Sequence, residues 1–188
     1  MILETERLIL DTWQSDDSTA FRPIASDAEV MRYITGGAAW TEDKIQSFVD
    51  SQMETYRTRE FCRWKLLLKP DMNLVGFCGA NFWRDAPDPE IGWWLARAYW
   101  GRGLAIEAAV PALGDLFERV RLGRVISVAM PDNHASIRIM QKLGLAFDCE
   151  FENGGVHLVR YALDLEHYVA RSFANYGEHT LGTPGLES

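Results

Sequence analysis

The chain has 188 residues, a formal net charge of −8, 47% hydrophobic and 24% charged residues. That length supports one sizeable domain, and the acidic balance lacks the basic footprint that general nucleic-acid binding requires. No apolar run approaches the ~20 residues that cross a bilayer, so neither a nucleic acid nor a membrane is an expected partner.

The opening Met1-Ile-Leu-Glu-Thr-Glu-Arg carries acids where a secretory signal carries positive charge, so a cytoplasmic location is expected. Residues 6–13 read as a first strand. Asp16 or Asp17 caps a short helix through Phe21, and Asp27 caps another turn carrying Val30, Met31 and Ile34. Gly36-Gly37 breaks the pattern. Apolar residues at 45, 48, 49, 53 and 56 predict an amphipathic helix over 42–58, with Thr41 and Lys44 as a partial capping signal. Residues 63–69 and 74–83 flank the turn signal Pro70-Asp71-Met72-Asn73 and read as a hairpin.

Residues 90–96 form the next strand, and a glycine-rich turn leads into a helix over about 103–119. Pro111 lies inside that helix, but the apolar period continues past it. Residues 124–130 are a β-branched strand. Pro131-Asp132-Asn133 turns into a helix that Gly144 ends as a C-cap, and 145–152 pairs with 156–165 across Asn153-Gly154-Gly155. A short helix follows at 165–173. The predicted order implies one α/β domain over residues 1–170 with a mixed sheet, and a loose tail over 171–188.

The strand, glycine turn and helix start at Trp100 to Ala105 have the form of an anion site, because first-turn N–H groups are unpaired and the helix dipole favours negative charge. A P-loop needs Lys-Ser/Thr after its glycines, and Leu104-Ala105 stands there instead. A Rossmann fingerprint needs Gly or Ala where Ile106 stands. Arg97, Arg102, Arg119, Arg121 and Arg124 make this region basic against Glu107, Asp115 and Glu118, whereas the first 60 residues hold twelve acids against six bases. Cys62, Cys78 and Cys149 show no paired spacing, and His134, His157, His167 and His179 form no ligand pair, so neither disulfides nor a metal site is expected.

Glu90-Ile-Gly-Trp-Trp-Leu, Tyr99-Trp-Gly-Arg-Gly-Leu-Ala and Asn133-His-Ala-Ser-Ile-Arg-Ile-Met-Gln-Lys-Leu-Gly resemble, in order and spacing, the GCN5-related N-acetyltransferases. The opening Glu4-Thr-Glu-Arg-Leu-Ile-Leu and the segment from Asp27 to Ile34 are similar to the RimJ/RimL-type branch. The resemblance covers roughly residues 3–165 and implies a single domain with helices on both faces of a mostly antiparallel mixed sheet. It also implies a splay between the fourth and fifth strands, 90–96 and 124–130.

In that family the acetyl-CoA pantetheine arm enters the splay. The resemblance therefore implies contacts from Trp93, Trp94 and Leu95, and a pyrophosphate resting on Trp100, Gly101, Arg102, Gly103, Leu104 and Ala105. It places Asn133 on the pantetheine and Ser136 on the thioester side. As chemistry, a neutral amine attacks a thioester and a thiolate leaves. A free lysine has a pKa near ~10.4, so a base has to take its proton, and the thiolate is helped by a hydroxyl donor. Ser136 is the candidate acid. Glu90, Glu152 and His157 are the candidate bases, with Glu150 beside them. Positioning alone supplies several kcal/mol.

The acceptor pocket in this fold lies between the N-terminal helices and the last hairpin. The acidic Asp27, Glu29, Glu42 and Asp43 make a cationic amine the expected acceptor, with Trp13, Trp40, Trp64 and Trp83 available to line the pocket. No cysteine matches a nucleophile position, so transfer is direct. The oligomer is expected to be a monomer or homodimer. Alternatives are a longer acyl-CoA or an O-acceptor, a CoA-binding or interaction module without catalysis, and, furthest out, an NAD site.

Overall fold

The computed structural model describes residues 3–82 and 87–170. The expected tail at 171–188 and Trp83 lie outside the described residues. Eight strands form one sheet in the order β1-β2-β3-β4-β5-β6-β8-β7. They are β1 (Leu3–Glu4), β2 (Leu8–Asp11), β3 (Arg63–Leu68), β4 (Asn73–Phe82), β5 (Pro89–Leu95), β6 (Arg124–Ala129), β7 (Ala146–Asn153) and β8 (Val156–Asp164). All neighbours are antiparallel except β5 and β6. The α-helices are α1 (Asp17–Ala25), α2 (Ala28–Thr35), α3 (Glu42–Arg59), α4 (Leu104–Glu118) and α5 (His134–Leu143). Residues 165–170 are helical as well.

The expected α/β architecture is the observed one, with two changes at the start. The predicted strand 6–13 is shorter, Leu8–Asp11, and a two-residue strand, Leu3–Glu4, precedes it, because the Thr5 hydroxyl accepts the Leu8 N–H at 2.9 Å and turns the chain between β1 and β2. Three helices precede β3, the turn expected after Asp27 being the eight-residue helix α2. Asp16 is the N-cap residue of α1 but makes no side-chain capping bond, and the Asp17 carboxylate instead accepts from the Gln14 N–H at 2.7 Å. Counting β1, the splayed strands are the fifth and sixth.

The other predicted caps form. Asp27 accepts from the Glu29 and Val30 amides, Thr41 from the Lys44 amide, and Gly144 closes α5 in the left-handed region. Asp27→Ala is expected to remove about 1 kcal/mol of stability, read as a lower urea midpoint with an unchanged slope. Helix α4 runs unbroken through Pro111.

The sheet carries helices on both faces. On one, Phe21 of α1 and Phe48 of α3 stack at 5.4 Å and both reach Phe77 of β4. The other is covered by α4, which packs on β2, β4 and β5, and by α5, which packs on α4 and β6. Helix α4 buries Leu104, Ala108, Ala112, Leu116 and Phe117.

Candidate active site

Strand β5 pairs with β4 along its whole length, from Phe82↔Pro89 to Gly76↔Leu95. With β6 it forms one pair, Glu90↔Ile126. Immediately past that pair the buried Ser127 hydroxyl donates to the Ile91 carbonyl at 2.9 Å. This bond pins the fork at which the strands part. Ser127 is the one polar residue in an otherwise apolar run from Val125 to Ala129, and a buried hydroxyl in such a run requires a partner. Beyond the fork, Gly92 to Leu95 have no ladder partner on the β6 side. An edge of this kind takes up a ligand that presents amides in extended form.

A single 3₁₀ turn, Arg97–Tyr99, then carries the chain into the glycine turn. Gly101 and Gly103 stand at φ 70 and 77, so both need the left-handed freedom of glycine. Gly103 is the N-cap of α4 and supplies no side-chain cap, which leaves the first amides of that helix aimed outward. Trp100 is 46% exposed, and its indole N–H donates to the Leu95 carbonyl at 2.7 Å. It ties the turn to the last residue of β5. Arg102 is exposed and lies over the Tyr99 ring at 5.7 Å.

Part of the basic lean read from the sequence is spent elsewhere. Arg119 forks onto Asp115 at 2.6 and 2.7 Å, and Arg124 pairs with Asp164, Asp148 and Asp88. Arg119 caps the far end of α4, about 22 Å from its start at 1.5 Å per residue. Nearness in sequence placed it with the turn, and the helix carries it away.

On the face of α1 and α3, Trp94 contacts Phe77, Phe21 and Trp40, the last at 4.9 Å. The strand period puts Glu90 and Gly92 on that same face. Arg63 of β3 reaches across β4 and donates to Glu90 Oε2 at 2.6 Å. Burial pushes the Glu90 carboxyl above its ordinary range, and the Arg63 guanidinium opposes the rise. The Arg63 N–H is fixed by Gln52 of α3 at 3.1 Å, and Lys65 pairs with Asp17 of α1 at 2.7 Å. No sequence motif marks Arg63, because its partner Glu90 lies 27 positions away. Of the tryptophans expected at an acceptor pocket, Trp13 and Trp64 are in the core, and Trp40 lies half-buried against Trp94.

Asn133 caps α5, its Oδ1 accepting the Ser136 N–H at 3.2 Å, which leaves its amide nitrogen as the donor toward a ligand. Ser136 is half-buried in the first turn of α5, which follows the splayed end of β6. Glu152 and His157 are opposite each other at the exposed end of the β7–β8 hairpin, beyond the Ala129↔Val159 pair that ends the β6 ladder. His157 Nε2 is 3.1 Å from Glu150 Oε2. Burial pushes the Cys62 and Cys78 thiols up, so neither supplies a thiolate. The site thus brings together a splayed backbone edge, an outward-facing helix start, a buried carboxylate on one sheet face and a helix-borne hydroxyl at the open end.

An acetyltransferase (GNAT) domain family matches residues 7–146. A curated relative, the N-acetyltransferase p20 of Bacillus licheniformis, is 30% identical over 162 residues, covering 81% of this chain and 89% of its own. A solved GNAT-family acetyltransferase from Bacillus anthracis is 28% identical, with a TM-score of 0.75 over 88% of this chain and 99% of that one. RimL, a ribosomal-protein alpha-N-protein acetyltransferase solved with coenzyme A, superposes with a TM-score of 0.71 at 16% identity over 89% of this chain and 99% of its own, a likeness of fold. Among the described residues no helix is long and apolar enough to cross a membrane. The open fork, the uncapped glycine turn and these matches agree: the chain belongs to the GNAT family of acetyl-CoA-dependent N-acetyltransferases, with RimJ/RimL-like structural neighbours.

Proposed function

We propose that this enzyme transfers acetyl from acetyl-CoA to a primary amine by direct attack, within a domain spanning residues 1–170 of a cytoplasmic monomer or homodimer. The acceptor is a protein N-terminus, a polyamine or a small amine. The observation that carries the reading is the fork: one β5–β6 pair at Glu90, and an unpaired β5 edge beyond it that leads to an uncapped helix start. Trp93, Trp94 and Leu95 border the pantetheine, and the Asn133 amide donates to it. The amides from Gly101 to Ala105 receive the pyrophosphate, with Arg102 at its edge, whereas the Trp100 N–H expected among them already donates to the Arg97 carbonyl at 3.2 Å. RimL, solved with coenzyme A, supports the same route in a chain of this fold.

Glu90 is the proposed base. It is buried, it borders the fork, and it shares a face with Trp94 and the N-terminal helices. Glu152 and His157, exposed on the last hairpin, are kept as second candidates. The Ser136 hydroxyl donates to the leaving thiolate. The acceptor is cationic, drawn by the exposed Glu29, Glu42 and Asp43. Asp27 contributes less, since its carboxylate caps α2.

Thiol release from acetyl-CoA across a panel of amines, peptides and aminoglycosides tests this. Glu90→Gln and Ser136→Ala are each expected to lower kcat roughly 10²–10⁴-fold, the range for a lost general acid or base. Acetyl-CoA affinity should stay within about twofold. Turnover near wild type in Glu90→Gln, together with loss in Glu152→Gln or His157→Gln, would move the base to the hairpin. Silence of the wild-type protein across the panel despite acetyl-CoA binding would favour a binding module.

A further inference from the structure

We propose that Arg7 is a positioning residue for the phosphate-binding turn: it neutralises Glu107 and turns that carboxylate away from the incoming pyrophosphate. This rests on reading Gly101 to Ala105 as the pyrophosphate cradle.

Glu107 closes the first turn of α4, its N–H donating to the carbonyl of the uncapped Gly103 at 3.1 Å. A carboxylate there is held favourably by the helix dipole, and it competes for the same field that an anionic ligand needs. In this chain it is folded back onto the turn between β1 and β2. Glu107 Oε1 accepts from the Thr5 hydroxyl at 2.6 Å and from the Arg7 N–H at 2.9 Å. Its Oε2 accepts from Arg7 Nε at 2.7 Å and also pairs with the second guanidinium nitrogen. The remaining guanidinium nitrogen donates to the Arg102 carbonyl at 3.0 Å, inside the glycine turn itself. A Cβ at Gly103 would stand 3.7 Å from this guanidinium. One side chain thus pairs the first-turn carboxylate and fixes a carbonyl of the turn.

The support beneath the latch is firm. The Leu8 N–H donates to the Thr5 hydroxyl at 2.9 Å, the Thr5 N–H donates to the Leu8 carbonyl at 2.9 Å, and Lys69 donates to the carbonyls of Arg7 and Thr5, each at 2.9 Å. Burial pushes the Glu107 carboxyl up, but the bonds from Thr5 and Arg7 outweigh it and hold the group below its ordinary value, so it stays ionised. Arg7 offsets that charge; without it, the turn meets a pyrophosphate with an unpaired negative charge close by. A lysine keeps the charge and loses the fork that reaches both Glu107 and Arg102.

The test is the affinity of acetyl-CoA relative to S-acetyl-pantetheine, which lacks the pyrophosphate, followed by tryptophan fluorescence at low and high salt. Arg7→Met is expected to weaken acetyl-CoA binding by roughly 10–100-fold at low salt and by clearly less at high salt, where charges are screened. Binding of S-acetyl-pantetheine should not change. Arg7→Met combined with Glu107→Gln should recover affinity to within about threefold of wild type, and Arg7→Lys should fall between Arg7→Met and wild type. Should Arg7→Met fail to fold, Arg7→Lys and the double variant carry the test. An unchanged acetyl-CoA preference in Arg7→Met, or a loss that Glu107→Gln does not relieve, overturns the latch. A wild-type protein that binds both ligands equally instead overturns the cradle on which it rests.

Discussion

Gly76→Ala is expected to remove about 3 kcal/mol of stability or more, beyond the usual range for an added methyl in a packed core. A Cβ at residue 76 would stand 1.9 Å from the Trp94 carbonyl oxygen, 2.9 Å from its carbon and 3.0 Å from the Leu95 Cα. All three are backbone atoms of β5, so no rotamer change relieves the overlap. Gly76 pairs with Leu95, and the strand that has to move is the one whose free edge borders the splay. Acetyl-CoA affinity should therefore fall together with the urea midpoint, and Tm by roughly 6–12 °C for a domain of this size. Gly123→Ala is the control: nothing lies within 4 Å of its Cβ position, and its stability should change by less than about 1 kcal/mol. A Gly76→Ala protein within 1 kcal/mol of wild type would show that β5 can yield at this point, and the account of a rigid edge would fail.

Gly79 is a similar case on the other side of β4, where a Cβ would stand 2.2 Å from the Cys62 carbonyl. Glycine inside a strand pattern signals close backbone approach. Which neighbour approaches is a matter of register, and local sequence does not contain it. Local sequence does specify the helical period over 42–58, the caps at Asp27 and Thr41, the Gly144 stop and the last hairpin, all of which match the observed elements. The splay was legible only through resemblance, because a strand that loses one neighbour keeps its apolar pattern. Thr5 with Glu107, Arg63 with Glu90 and Ser127 with Ile91 are set by topology. Their members lie 102, 27 and 36 positions apart and carry no mutual sequence mark.

Arg63→Met should destabilise the fold by about 3–5 kcal/mol near neutral pH, the loss expected when one member of a buried ion pair is removed. The side chains of Arg63 and Glu90 are 20% and 12% exposed, so water does little to replace the missing guanidinium. The pH dependence has a definite sign. Burial already raises the folded-state pKa of Glu90, with Arg63 holding the rise down. A raised carboxyl binds its proton more tightly in the folded state, so its stabilisation is present below the unfolded value near ~4.3 and is lost as pH rises through the folded value. Removing Arg63 lifts that folded value further. The deficit of Arg63→Met relative to wild type should therefore be largest at neutral and alkaline pH and shrink as pH falls toward the ordinary carboxylate range. Arg63→Met with Glu90→Gln should regain much of the loss, since an amide carries no charge to strand. Urea midpoints from pH 4.5 to 8 read this directly, and a deficit that is flat across the range would mean that the pair contributes packing rather than charge. The same variant informs the chemistry. If Glu90 takes the amine proton, the acid limb of kcat/KM moves to higher pH in Arg63→Met, while a base on the hairpin at Glu152 or His157 leaves that limb in place.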